Sequence, residues 1–114
     1  MRTIDIGVES RTAGRWTVLD VEGEVDVFTA PKLREKIIAL LDGGSDHLVV
    51  NLEKVLFMDS TGLGVLVGGL KRVKENNGEL ALAGAQGTVL RVLSVTGLNA
   101  VFPMHDTVDQ ATSS

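Results

Sequence analysis

At 114 residues, 44% of them hydrophobic, the chain is one globular domain with a core of its own and no room for a second. A total of 11 Lys plus Arg against 15 Asp plus Glu gives a net charge of −4, and no basic run or interleaved aromatics offer a nucleic-acid surface. The lack of cysteine excludes disulfides, thiolate metal sites and cysteine nucleophiles; with no membrane-spanning run and no signal-peptide pattern, a soluble cytoplasmic protein is expected.

Ile4, Ile6 and Val8 alternate with polar residues and predict a first strand, after which Glu9–Arg15, with Gly14 inside it, predicts a polar turn. Trp16–Glu22 (WTVLDVE) is rich in β-formers and predicts a second strand, paired with the first as a hairpin. Trp16 reads as a packing residue at a sheet end rather than a ligand contact. Gly23–Val27 breaks the strand. Thr29 is placed to cap a helix whose first turn accepts Pro31, whose core stripe is Leu33, Ile37, Leu40 and Leu41, and which Gly43-Gly44 stops. Leu48–Leu52 (LVVNL) is apolar enough for a central strand buried on both faces.

The stretch Val55–Val73 (VLFMDSTGLGVLVGGLKRV) organises the rest. It starts apolar, turns through Asp59-Ser60-Thr61-Gly62, and then becomes periodic: Leu63, Leu66, Val67, Leu70 and Val73 form one apolar stripe of a helix. Asp59-Ser60-Thr61 is N-cap chemistry, because a short side-chain oxygen there can accept from an unpaired first-turn N–H. Thr61, Gly64, Val65, Gly68 and Arg72 fall on the opposite side. A mid-helix glycine costs about 1 kcal/mol relative to alanine, so Gly68-Gly69 needs a reason. Gly69, nearer the core, suits close packing on a sheet; Thr61, Gly64, Val65 and Gly68 make a nearly side-chain-free surface for another protein.

After this helix, Asn76-Asn77-Gly78 is a terminator and Leu80–Ala83 a strand of small residues that a helix could approach closely. Gly84–Gly87 turns. Val89, Val92, Leu93 and Thr96 repeat at helical spacing, Gly97 ends that helix, and Leu98 suits the contact of a Schellman cap. Ala100–Phe102, before Pro103, predicts a short edge strand; Thr107–Thr112 predicts a short closing helical turn, and Ser113-Ser114 a frayed end. The order β-β-α-β-α-β-α-β is that of an α/β fold: a mixed central sheet with an initial hairpin and later parallel strands, joined by right-handed crossovers and packed with helices.

The glycines do not make a nucleotide loop. Gly64 and Gly69 have Walker A spacing but are followed by Leu70-Lys71-Arg72, and Val67 stands where a dinucleotide fingerprint beginning at Gly62 needs its third glycine. His47 and His105 stand alone, which is too few ligands for a metal. Glu24/Asp26 reads as a solvated loop, and Ser60 has no candidate base beside it in sequence, so neither predicts an enzyme. What remains is a hydroxyl at a helix N-terminus, a place where a phosphate is tolerated because free N–H groups and the macrodipole favour negative charge.

Phe57–Gly64 (FMDSTGLG) resembles the hallmark of bacterial anti-sigma-factor antagonists, the single-domain STAS proteins. The likeness extends to Gly23–Asp26, Leu48–Leu52 and Gly97-Leu98, and so over nearly all of residues 1–114 as one STAS domain. It implies that Ser60, directly after the aspartate, is phosphorylated by an anti-sigma factor that is itself a serine kinase. The unphosphorylated form would bind that factor and free the sigma factor, and a PP2C-type phosphatase would regenerate it. No cofactor is expected, the Mg-ATP belonging to the partner kinase, and neither nucleic acid nor membrane is an expected direct partner. The expected partner surface is Asp26, Val27, Asp59, Ser60, Thr61, Gly62, Gly64, Val65 and Gly68. The alternative is a STAS scaffold or nucleotide-sensing module in which Ser60 only caps the helix.

Overall fold

The computed structural model describes residues 5–113. Its elements in chain order are β1 (Gly7–Ala13), β2 (Trp16–Val25), α1 (Ala30–Asp42), β3 (His47–Met58), α2 (Ser60–Glu75), β4 (Glu79–Ala83), α3 (Gly87–Val95), a 3₁₀ turn (Leu98–Ala100), β5 (Met104–His105) and α4 (Val108–Thr112). The five strands form one sheet in the order β1-β2-β3-β4-β5, with β1 antiparallel to β2 and every other pair parallel. The mixed sheet and the alternation of strand and helix are those expected from the sequence.

Alternation along the strands builds two unequal layers. Leu19 and Val21 of β2, Leu48, Val50 and Leu52 of β3, and Leu80 and Leu82 of β4 face a core completed by Leu33 and Ile37 of α1, Leu63, Leu66, Leu70 and Val73 of α2, and Val89 and Leu93 of α3. The residues between them, Val18, Val49, Ala81 and Ala83, join Trp16 in a smaller cluster on the other face, covered by Ala111 of α4. The small side chains of β4 therefore receive α4 rather than α2. Beyond that patch the second face is polar. Asp20 accepts from Arg11 Nε at 2.7 Å and from Asn51 Nδ2 at 2.8 Å, tying β1, β2 and β3 together on the open side.

Three boundaries differ from expectation. Residues 9–13, read as a turn, belong to β1; the hairpin turns over Gly14-Arg15 alone, with Ala13 paired to Trp16 and Gly14 at φ 63°. Edge position explains the misreading, since β1 is exposed or half-buried throughout and carries no hydrophobic alternation; Ile4 lies outside the described residues. Gly23 does not end β2, which runs on to Val25 through two register shifts beside β3, with Gly23 at φ 111°. The last strand is Met104–His105 and not Ala100–Phe102. Gly97 at φ 76° turns the chain into the 3₁₀ turn, Phe102 is buried as an anchor, and pairing begins at the Pro103 carbonyl, which accepts from Leu82 N–H at 2.9 Å. The closing helical turn forms as expected, with Thr107 Oγ1 accepting from Gln110 N–H at 3.1 Å. Ser113 caps it, and Ser114 lies outside the described residues.

The glycines of α2 divide into two kinds. A methyl carbon on Gly62 would lie 2.7 Å from Met58 Cγ and 2.8 Å from Val25 Cγ1, and one on Gly69 would lie 3.2 Å from Leu80 Cδ1 and 3.3 Å from Ile37 Cγ2. These two let the helix sit close on β2, β3 and β4 and against α1. Gly64 and Gly68 would meet nothing within 4 Å. Gly62→Ala should therefore destabilise the fold by about 1–3 kcal/mol through overpacking. Gly68→Ala should stabilise it by about 1 kcal/mol through helix propensity. Urea denaturation midpoints of the two variants check both signs, and a loss of stability in Gly68→Ala would mean that α2 packs differently here.

Candidate functional site

The candidate site lies at the carboxyl ends of β2 and β3, where two loops leave the sheet side by side. Register brings them together: Glu24 pairs with Phe57, Val25 with Met58, and the Asp59 N–H donates to the Val25 carbonyl at 3.1 Å. Beyond that bond the first chain turns through Asp26–Thr29 into α1, and the second enters α2 directly.

Asp59 is the N-cap of α2. Its extended backbone lets the carboxylate turn back, so that Oδ1 accepts from Thr61 N–H at 2.9 Å and Gly62 N–H at 3.2 Å. Ser60 is the first helical residue, exposed, and its hydroxyl has no hydrogen-bond partner among the described residues. The capping assigned to Asp59-Ser60-Thr61 as a group thus rests on the aspartate alone.

The neighbouring loop is fixed by a similar device. Asp26 Oδ1 accepts from Phe28 N–H at 2.9 Å and Thr29 N–H at 3.1 Å, while Asp26 N–H donates to Thr29 Oγ1 at 3.0 Å. The Thr29 hydroxyl donates to the Glu24 carbonyl at 2.8 Å. Thr29 stands at the N-cap position as expected, yet its hydroxyl points back to β2 and caps no helical N–H. Asp26 holds the shape of this loop with its carboxylate, so it supports the surface more than it forms it.

Of the residues expected on the partner surface, Ser60, Thr61, Gly64, Gly68 and Val27 are exposed, and Asp26 and Asp59 are half-buried within their own hydrogen bonds. Two depart from the expectation. Gly62 is buried between Met58 and Val25 and offers no surface. Val65 is half-buried and packed on the core, turned toward α1 instead of straight outward. It forms one wall of a groove of about 280 Å³ between α1 and α2, with Thr61, Gly64 and Gly68 on its own side and Arg34, Ile37 and Ile38 opposite.

The sequence reading missed three residues beside the site. Phe28 is 80% exposed, Leu56 73% and Phe57 40%, and they adjoin Val27 at 58%. The run Val55–Met58 looked uniformly apolar. In the structure Val55 and Met58 face the core, while the two residues between them turn out, because β3 is irregular against β2 here and the two-residue alternation is lost. Among the described residues no group of three or more His, Cys, Asp or Glu could hold a metal ion, and no helix is long and apolar enough to cross a membrane.

The STAS domain model matches residues 7–111, which takes in the whole sheet and both loops of the site. The chain belongs to the STAS domain family. Among its relatives, the anti-sigma-B factor antagonist of Bacillus subtilis (strain 168) is 43% identical over 83 residues, covering 73% of this chain and 75% of that one. The anti-sigma-B factor antagonist of Staphylococcus aureus (strain NCTC 8325 / PS 47) is 35% identical over 103 residues, covering 90% and 95%. The structure of the anti-sigma factor antagonist SpoIIAA in its unphosphorylated form superposes with a TM-score of 0.79 at 26% identity, covering 92% of each chain.

The division of labour within this STAS domain's Asp59-Ser60 pair has a direct test. Asp59→Ala should cost about 1 kcal/mol of stability, the usual loss on removing an N-cap side chain. Ser60→Ala should leave the thermal midpoint unchanged, since the hydroxyl has no partner among the described residues. A matching loss in Ser60→Ala would make the serine a cap after all.

Proposed function

We propose that this STAS domain is an anti-sigma-factor antagonist whose binding to a serine-kinase anti-sigma factor is switched off by phosphorylation of Ser60. The observation that carries the reading is the free hydroxyl of Ser60 at the first position of α2, exposed and released from capping by Asp59. The relatives named as antagonists, and a structural neighbour described by its phosphorylation state, support the same role. The sigma factor is freed when the unphosphorylated chain occupies the anti-sigma factor, and a PP2C-type phosphatase restores that form. The scaffold or nucleotide-sensing alternative gave Ser60 the task of capping α2, and Asp59 performs that task here.

The physics of the switch is local. A phosphate adds about −1.5 to −2 charge at pH 7. At the start of α2 the helix dipole favours it by about 0.3–1 kcal/mol, and the neighbouring Asp59 carboxylate opposes it. The fold is therefore little affected. In a complex the dianion would have to be desolvated against a surface shaped for a hydroxyl, at a cost of several kcal/mol. Binding falls while the backbone stays put.

The test begins with intact-mass analysis after incubation with the source organism's serine-kinase anti-sigma factors and Mg-ATP. A gain of one phosphate, placed on Ser60 by fragment spectra, is expected; a phosphate on Thr61 would overturn the assignment. Ser60→Ala should bind the kinase normally and resist release, and Ser60→Asp should weaken binding only in part, having one charge and a different shape. Amide NMR shifts caused by the phosphate should be confined to residues near 59–65. Shifts spread through the sheet would replace the local mechanism with a conformational one.

A further inference from the structure

The two segments that meet beside Ser60 expose apolar side chains that the glycine face does not explain. The chain has only four aromatic residues, and they divide evenly: Trp16 and Phe102 are buried in the two clusters, Phe28 and Phe57 are exposed. Both exposed ones lie on the two segments joined by the Asp59–Val25 hydrogen bond, with Val27 and Leu56 beside them in sequence and equally open to solvent. Phe28 is not a side chain on a loose loop. Its own N–H is held by Asp26, and the turn is closed again through Thr29 onto the Glu24 carbonyl. An aromatic ring projected into water from a fixed backbone loses little further freedom when a partner covers it, which is the property of a binding anchor.

The structure assigns Val27, Phe28, Leu56 and Phe57 as an apolar anchor that inserts into a matching apolar socket on the anti-sigma factor, with Phe28 as its dominant residue. This rests on the function proposed above and deepens it. The occupant follows from position. Leu56 and Phe57 lie within four residues of Ser60 on one segment, and Val27 and Phe28 follow Val25, which the Asp59 N–H ties to that segment. A partner that reads the serine therefore meets these residues. It also explains why one phosphate suffices. A hydrated dianion on Ser60, at the end of the segment that carries Phe57, keeps water in a contact whose affinity depends on expelling it.

The experiment measures affinity of the full chain for the anti-sigma kinase that phosphorylates Ser60, by titration calorimetry. Phe28→Ala should weaken binding about 30-fold or more, the range of an interface hot spot. Leu56→Ser should weaken it in the same direction, and Val95→Ala, exposed on α3 and away from the patch, should leave it unchanged. The heat-capacity change on binding should become less negative in Phe28→Ala, since apolar burial sets its size. A photo-crosslinking phenylalanine analogue at position 28 should join the chain to the kinase, and not after Ser60 is phosphorylated. Wild-type chain that fails to bind any such kinase would refute the function proposed above. Wild-type binding with Phe28→Ala and Leu56→Ser both within twofold of it would refute the anchor alone. So would sedimentation showing that Phe28→Ala converts a dimer to a monomer with kinase affinity intact, which would make the patch a contact between two copies.

Discussion

Everything at the functional end of this STAS domain depends on Asp59. Its N–H donates to Val25, which holds the end of β3 against the end of β2, and its carboxylate takes the N–H groups of Thr61 and Gly62, which starts α2 at a defined residue. Without the first bond the two loops lose their common origin, and without the cap α2 loses its defined start. The Gly62 contact adds a constraint from below, because α2 can begin this close to the sheet only where no side chain separates it from Met58 and Val25. Ser60 lies between these two fixed points. Its position is set by neighbours on both sides, which leaves its own side chain free of any structural duty.

Helix glycines are commonly explained by packing, and here that account covers half of them. Gly62 and Gly69 are required where they stand, since a methyl group would press on Val25, Met58, Leu80 or Ile37. Gly64 and Gly68 face open space, and each lowers helix stability by about 1 kcal/mol against alanine for no gain in the isolated domain. A cost without a return inside the molecule points to a return outside it. The groove they share with Arg34 and Ile38 is the natural place, and it begins one residue from Ser60 at Thr61.

Most of the architecture was legible because its signals were strong and redundant. The Leu63–Val73 stripe, the LVVNL run and the Asn76–Gly78 stop each repeat one message at several positions. Legibility failed where one signal stood in for two structures. The polar residues 9–13 could be a turn or an edge strand, and only pairing with β2 decides between them. Gly23 could end a strand or bulge it, and the adjacent β3 supports the bulge. At the site, the DSTGLG motif located the serine and the loop reading placed Val27 on the partner surface, yet the exposure of Phe28, Leu56 and Phe57 went unread. Exposure there is set by irregular pairing between β2 and β3 and by the Asp26–Thr29 turn, neither of which leaves a periodic trace in sequence.

The capping pattern also constrains how a phosphate on Ser60 can act. A helix N-terminus ordinarily binds phosphate through the free N–H groups of its first turn. In α2 those groups are already committed: Thr61 and Gly62 donate to the Asp59 carboxylate, and Leu63 donates to the Asp59 carbonyl. Only the N–H of Ser60 itself remains. To take the others the phosphate would have to displace Asp59, which would undo the cap and loosen the hinge to Val25. The lower-energy course is for the phosphate to stay in water, beside the mouth of the groove that begins at Thr61. An aspartate cap next to the modified serine thus does two things at once. It fixes the helix without the serine, and it denies the phosphate an internal binding site, so that the added charge is felt by the partner rather than by the fold.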